Sequence, residues 1–164
     1  MTSQWKAREL ALNAHAGQVY GVFPYEEHLR AVVMVLLRFD VLEDSILAAA
    51  WLHDALEDTK LTCAEIATAC GEEVAALVEA VTDEPGANRQ ERKIKTYLKI
   101  RSFGKPAVVL KVADRIANVG YCIGSKDRRL KMYAREFPEF STALYVPGEC
   151  EAMWNHLRGL VGIV

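Results

Sequence analysis

Apolar residues recur at intervals of three and four along almost the whole chain, and no stretch alternates apolar and polar residues for long. The first pattern is typical of amphipathic helices, whereas a half-buried strand requires alternation. We therefore predict an all-α fold, a single-domain helical bundle that covers residues 1–164. The sequence shows no internal repeat, low-complexity tract or linker that would divide it.

Local signals place the ends of the predicted helices. Residues 62–65, "TCAE", form a capping-box pattern for a short helix that Gly71 ends. Pro106 suits the first turn of an apolar helix, because that turn does not use the backbone donor that proline lacks. Pro138 and residues 147–148 mark predicted breaks. The predicted helices cover about 3–16, a second helix that begins just after Pro24 and runs through 28 to 39, then 42–56, 62–70, a helix that ends at about 81, 91–101, 106–119 and a last helix that ends at about 160.

The segment 48–60, "AAAWLHDALEDTK", closes a hydrophobic run with four polar side chains. At about 100° per residue, positions 53, 54, 57 and 58 of a continuous helix fall within roughly 140° of arc and share one side of the helix end. Three carboxylates beside an apolar helix are costly without a counter-charge, and a divalent cation is the simplest one. The segment therefore predicts half of a metal site, formed by His53, Asp54, Glu57 and Asp58.

Two residues elsewhere can complete the ligand set. His28 follows a proline-marked helix start, and Asp114 interrupts the apolar run "VVLKVADRIANV". Each has a simpler interpretation: a lone histidine is commonly a core or surface residue, and Asp114 can form a local ion pair with Arg115. Imidazole together with carboxylate suits manganese, iron, cobalt or zinc better than calcium. The ordered set His28, His53-Asp54, Asp114 favours a metal site over these alternatives.

Composition excludes several classes of partner. The chain is 51% hydrophobic with a formal net charge of −2, which gives no overall attraction to nucleic acid or to a membrane surface. No leader-like start or membrane-length apolar run is seen, so we expect a cytoplasmic protein. The four cysteines form no CxxC motif and are expected to be reduced, structural thiols. His15 and His156 are also expected to have structural roles.

The motifs together resemble a known family. In chain order they are "AHAGQ" (14–18), "PYEEH" (24–28), "LHDALEDT" (52–59), "VTDE" (81–84), "ERK" (91–93) and "LKVADRIAN" (110–118). This series is similar to the HD phosphohydrolase superfamily, and within it to the hydrolase domain of the RelA/SpoT alarmone enzymes and the small alarmone hydrolases. The resemblance spans nearly the whole chain and implies an HD-type helical fold. It also implies removal of the 3′-pyrophosphate from (p)ppGpp.

The resemblance also implies roles for single residues. His28, His53, Asp54 and Asp114 match the ligands of one metal ion per chain, usually manganese in this family. Glu57 and Asp58 match its catalytic pair. The remaining matches are to positions that contact the substrate or support the site, and they are Asn118, Arg115 and Lys93.

The loop "QVYGVFPY" departs from the family pattern, because alarmone hydrolases usually carry an arginine-lysine pair there and the loop is one residue shorter in this chain. Gly120 and Ala117 also replace residues that are often arginine and histidine in the family. Tyr20 or Phe23 can offer a ring to a nucleotide base or simply anchor the loop. A basic helix can supply cations in place of those missing from the loop, or its basic side chains can be merely solvated. These side chains are Arg89, Arg92, Lys93 and Lys95.

The sequence thus predicts a manganese-dependent phosphohydrolase that acts on (p)ppGpp or a related nucleotide. Two alternatives stay open. The altered loop favours an HD hydrolase with another phosphorylated small molecule as substrate. A nucleotide-binding regulatory module without turnover is the second, although the retained Glu57 and Asp58 argue against it. Neither nucleic acid nor a membrane is expected as a partner, and a homo-oligomer stays open.

Overall fold

The computed structural model describes residues 2–162 and confirms the predicted all-α class. A two-stranded antiparallel ribbon, β1 (Val19–Tyr20) and β2 (Phe23–Pro24), is the one sheet within those residues. The helices are α1 (Ser3–Ala14), α2 (Glu26–Arg38), α3 (Asp44–Leu52), α4 (Ala55–Asp58), α5 (Cys63–Cys70), α6 (Glu72–Val81), α7 (Arg89–Phe103), α8 (Lys105–Ser125), α9 (Arg129–Leu144) and α10 (Glu151–Val161).

The bundle is built around α3 and α8. α8 packs against α2, α6, α7, α9 and α10, and α3 packs against α1, α2 and α6. Every residue of α3 from Ile46 to Leu52 is buried, as expected of a helix that is apolar on all sides. Its run Ala48, Ala49 and Ala50 lets neighbouring helices approach closely. Within residues 2–162, no helix combines the length and the apolar character that a membrane crossing requires.

Several local predictions are confirmed. The Thr62 side chain accepts from the backbone N–H of Glu65, and the Glu65 side chain accepts from the backbone N–H of Thr62, so the capping box is complete. Gly71 ends α5 at φ +102°, and Pro106 lies in the first turn of α8. None of the four cysteines is paired in a disulfide in the described part of the chain.

The predicted continuous helix over 42–56 is wrong. α3 ends at Leu52, and a turn at His53 and Asp54 precedes the single turn of α4. Asp54 has φ −97° and ψ −3°, between helical and bridge geometry, and this turn aims the two side chains inward. The four polar groups therefore do not share one face of a continuous helix: His53 and Asp54 lie in the turn, and Glu57 and Asp58 lie on the short helix that follows it.

The break predicted at Pro138 is also wrong, because α9 runs through that residue. An interior proline removes one helical hydrogen bond and crowds the preceding turn. α9 is held on both sides of the proline by other contacts: Phe140 and Leu144 are buried in the core, and Glu136 is bound by basic residues of α7 and α8. Tertiary packing offsets the local cost here.

Candidate active site

His28, His53 and Asp114 bring three potential ligand atoms to within 4.8 Å of one another. The Nε2 atoms of the two histidines are 3.2 Å apart. Asp114 Oδ1 lies 3.4 Å from Nε2 of His28 and 3.6 Å from Nε2 of His53. Asp54 Oδ2 lies 3.3 Å and 3.1 Å from the same two nitrogens, so the fourth predicted ligand joins the cluster. α2, the α3–α4 turn and α8 thus meet at one point.

The arrangement fits a divalent cation. Nitrogen and oxygen ligands bind such ions at about 2.0–2.2 Å, so neighbouring ligand atoms lie roughly 3 Å apart. The two Nε2 atoms lie 3.2 Å from each other, and each lies 3.1–3.6 Å from the carboxylate oxygens of Asp54 and Asp114. The Nδ1 of His53 faces the carbonyl oxygen of Ala50 at 2.9 Å. If Nδ1 donates there, the lone pair of Nε2 is left for the centre of the cluster. Two such nitrogens facing each other have no mutual hydrogen bond, and a cation between them satisfies both.

The charges of the cluster stabilise one another. Burial lowers the pKa of His53, but the carboxylates of Asp54 and Asp114 overcome this and hold it well above its ordinary value. Burial raises the pKa of Asp54, yet the two imidazoles bring it well below its ordinary range. Two carboxylates that stay ionised inside the protein need positive charge beside them, which protonated imidazoles or a metal ion can supply.

Glu57 and Asp58 lie on α4, directly after the turn that carries His53 and Asp54. Glu57 Oε1 accepts a 2.7 Å hydrogen bond from the backbone N–H of Asp83. Burial and the nearby carboxylates raise the pKa of Glu57, although the Asp83 N–H opposes this. The carboxylate of Asp58 lies 3.1 Å from the hydroxyl of Tyr25. Neither Glu57 nor Asp58 forms an ion pair with a lysine or arginine among residues 2–162, since the nearby Lys111 pairs with Asp83 and Asp114.

Asn118 and Tyr20 lie at the mouth of the cluster. Asn118 Nδ2 donates to Asp114 Oδ1 at 2.5 Å, and its Oδ1 accepts from the Tyr20 hydroxyl at 2.5 Å. The Tyr20 ring stacks on His28 with a centroid separation of 4.6 Å, so that ring face is covered by a candidate ligand. The ribbon that carries Tyr20 requires Gly21 at φ +63°, where a side chain would collide with the hydroxyl of Tyr121.

Arg115 and Lys93 bind Glu136 of α9. Arg115 Nη1 lies 3.6 Å from Glu136 Oε2, and Lys93 contacts the other carboxylate oxygen. Their side chains are only 8% and 10% exposed. Arg89 joins the same carboxylate at 2.9 Å and is about half exposed. The structure therefore groups the two predicted residues in a basic cluster around one carboxylate, which consists of Arg89, Lys93, Arg115 and Glu136.

Sequence reasoning missed two nearby residues. Arg129 places its guanidinium 5.5 Å from the Tyr20 ring and 5.8 Å from the Tyr121 ring, beside a cavity of about 260 Å³ that His28 and Phe23 also line. Lys111 Nζ lies 3.8 Å from Asp114 Oδ2. Lys111 was visible in the motif "LKVADRIAN", but Arg129 lies in no recognised motif, so only the fold reveals it.

These features define a helical protein with a histidine–aspartate candidate metal centre and an adjacent carboxylate pair. A family model described as "HD domain" matches residues 7–140. Because this match covers most of the chain, the protein belongs to the HD-domain family, as the motifs predicted.

Two curated relatives are similar to this chain in sequence. A Drosophila melanogaster protein named guanosine-3′,5′-bis(diphosphate) 3′-pyrophosphohydrolase MESH1 is 33% identical over 58% of this chain and 54% of its own length. An Aquifex aeolicus guanosine-3′,5′-bis(diphosphate) 3′-pyrophosphohydrolase is 34% identical over 76% of this chain and 18% of its own length. The chain thus spans about half the length of the MESH1 relative, and far less of the bacterial enzyme.

Solved structures support the fold. One described as a metazoan ortholog of SpoT that hydrolyses ppGpp matches all of this chain with a TM-score of 0.82 at 22% identity. A Listeria monocytogenes protein matches 82% of the chain with a TM-score of 0.64 at 25% identity. The arrangement of helices around the candidate centre is therefore that of the HD-domain fold.

Proposed function

We propose that this protein is a metal-dependent phosphohydrolase of the 3′-pyrophosphohydrolase type, acting on (p)ppGpp or a related nucleotide. The observation that carries the proposal is that His28, His53 and Asp114 converge, that Asp54 contacts both imidazoles, and that Glu57 and Asp58 lie on the helical turn that follows. The names of the MESH1 relatives point to the same reaction.

In this proposal His28, His53, Asp54 and Asp114 hold one divalent ion per chain, with manganese as the expected metal. When bound, the ion would supply a water of lowered pKa and positive charge for an anionic substrate. Glu57 and Asp58 would orient the attacking water and accept its proton, a contribution of about 10² to 10⁴ in rate. The anchoring of Glu57 by the Asp83 N–H suits this role, because a fixed carboxylate can hold water in one direction.

In the same proposal, the substrate contacts come from residues around the cluster of candidate ligands. Asn118 adjoins Asp114 and reaches the mouth of the site, and Tyr20 closes one side of it. Lys93 and Arg115 support the site by fixing Glu136 to α7 and α8. The more exposed cations are Arg89 and Arg129, which can meet phosphate oxygens at the protein surface.

The loop that lacks basic residues predicts weak binding of (p)ppGpp through a raised KM. Charge-assisted hydrogen bonds are worth about 1.5–3 kcal/mol each, so two missing contacts lower affinity by roughly 10² or more. A second function, hydrolysis of a different phosphorylated small molecule, is favoured by the same loop. A regulatory module without turnover is disfavoured, since a binding protein gains nothing from two carboxylates beside a phosphate.

The test is a panel of nucleotides given to manganese-loaded protein. It includes ppGpp, pppGpp and NADPH, and both released phosphate and released pyrophosphate are measured. Pyrophosphate from ppGpp supports the proposed reaction, while orthophosphate from another substrate selects the second function. Asp54→Asn is the control for contaminating phosphatases. No release from any substrate would contradict the proposal.

A cytoplasmic location stays a prediction.

A further inference from the structure

The hydroxyl of Tyr25 lies between a candidate metal ligand and the carboxylate pair. It donates to Asp54 Oδ2 at 2.7 Å and lies 3.1 Å from Asp58 Oδ2. A phenol has a single proton, so it satisfies one carboxylate fully at a time. The Tyr25 hydroxyl thus links the Asp54 carboxylate, which faces His28 and His53, to the Asp58 carboxylate.

Contacts that do not involve the hydroxyl fix the ring of Tyr25. It stacks on His15 with centroids 4.6 Å apart and an interplanar angle of 6°. It also meets His28 edge-on at 5.8 Å. Its backbone N–H donates to the Gln18 carbonyl at 3.1 Å, and its own carbonyl accepts from the His28 N–H at the start of α2. The hydroxyl is therefore held at a defined point.

Asp58 has few other restraints. Its backbone carbonyl accepts from Gln18 Nε2 at 2.7 Å, and Gln18 Oε1 is held by His15 Nδ1 at 2.8 Å. For the carboxylate itself, the Tyr25 hydroxyl is the one side-chain partner within residues 2–162. Asp58 also ends a helix of a single turn, so its side chain is free to rotate once this contact is lost.

We propose that Tyr25 is a positioning residue that acts through Asp58: its hydroxyl holds the Asp58 carboxylate beside the candidate metal centre. With Asp54 engaged as a ligand, its oxygen is a weaker acceptor and Asp58 becomes the better partner for the phenol proton. Glu57 is held independently, by the backbone N–H of Asp83. The inference rests on the proposed hydrolase function, and it adds a second anchor for the carboxylate pair.

The primary test is Tyr25→Phe, which keeps the stacked ring and removes only the hydroxyl. Loss of one hydrogen bond to a charged group predicts a fall in kcat of about 10- to 100-fold on ppGpp. KM should stay within about twofold and bound manganese should stay at the parent level. The matched control is Tyr145→Phe, which loses a 2.6 Å phenol–carboxylate bond to Glu151 remote from the site and should leave kcat unchanged.

A double-variant measurement separates this role from a merely structural one. In an Asp58→Asn background, Tyr25→Phe should lower kcat by less than about threefold, because residues that act as a unit are not additive. Multiplicative losses would overturn the inference. Loss of manganese in Tyr25→Phe would overturn it too, since the tyrosine would then act through Asp54. Melting curves of each variant show that it is folded.

The inference can fail separately from the proposed function. If the parent protein hydrolyses no nucleotide, the function fails, and the position of Asp58 is then tested in crystals of manganese-loaded parent and Tyr25→Phe proteins. The Asp58 carboxylate should leave its place beside the centre in the variant. An unmoved carboxylate would overturn the inference, as would an unchanged kcat in an active enzyme.

Discussion

Two charged clusters lie on neighbouring faces of α8, and they differ in how their charge is satisfied. At the first, Asp54 and Asp114 meet two imidazoles whose nitrogens face one another. At the second, three cations surround one carboxylate, Glu136. The first cluster directs nitrogen and oxygen atoms to a common point, while the second encloses its counter-ion. The first is therefore suited to bind an ion from solution, and the second to join helices.

In the proposed function, this difference separates the groups for chemistry from those for recognition. The four candidate ligands and the carboxylate pair form one unit built from α2, the α3–α4 turn, α4 and α8. The basic groups that the motifs suggested for phosphate binding are largely occupied by Glu136. In addition, burial lowers the pKa of Lys93, and the charges of Arg89 and Arg115 act in the same direction. Such a cluster stabilises the packing of α9 more directly than it attracts a substrate.

The largest expected effect comes from the first cluster. His53→Ala should reduce bound manganese from about one ion per chain to nearly none, and turnover should fall by about 10³ or more, because the water activated by the metal is lost. Elemental analysis after metal loading gives the occupancy. His156→Ala is the control, since that histidine packs near Phe39 and away from the centre. Metal retained at the parent level in His53→Ala would show that the cluster is not the binding site.

A smaller effect is expected from the carboxylate pair. Glu57→Gln combined with Asp58→Asn should keep manganese bound and lower kcat by about 10² or more, because amides retain the shape but cannot accept a proton. The exposed substitution Glu9→Gln serves as the control. Metal analysis and turnover are measured on the same sample. If the double variant loses its metal, the pair belongs to the ligand set and the two roles are not separate.

The sequence predicts the first cluster better than the second, for a physical reason. His28, His53, Asp54 and Asp114 are identifiable from the sequence as candidate ligands because chemistry restricts metal ligands to a few residue types at recognisable motif positions. Arg89 and Glu136 are 47 residues apart, and their pairing depends on how α7 and α9 pack. The same dependence on packing explains why α9 continues through Pro138, since tertiary contacts overcome the local helix-breaking tendency of proline. It also explains the turn at His53, which interrupts an otherwise helical pattern at the candidate site.

Glu136→Gln tests the second cluster. Removing the carboxylate leaves two nearly buried cations without a counter-charge, which should lower the free energy of unfolding by about 2–3 kcal/mol. For a protein of this size, Tm should fall by roughly 4–12 °C. Glu139→Gln, at an exposed site on the same helix, should change stability by less than about 0.5 kcal/mol. Unchanged stability together with a lower KM would show instead that Glu136 competes with the substrate for these cations.

The smallest effect is expected at the turn between β1 and β2, in the loop that lacks the arginine-lysine pair expected from the resemblance to alarmone hydrolases. Val22 lies at its tip and is 87% exposed, so a charge there costs little and lies near Tyr20 at the mouth of the site. Val22→Arg should lower KM for ppGpp by about two- to fivefold and leave kcat unchanged, because an exposed charge acts through solvent. Val22→Glu should raise KM by a similar factor, and Val22→Gln is the neutral control. The difference between the two charged variants should shrink at 0.5 M salt, where screening is strong. Equal KM values for all three variants at low salt would show that the ribbon tip lies outside the path of the substrate. The absence of cations from this loop would then have no effect on the binding of ppGpp.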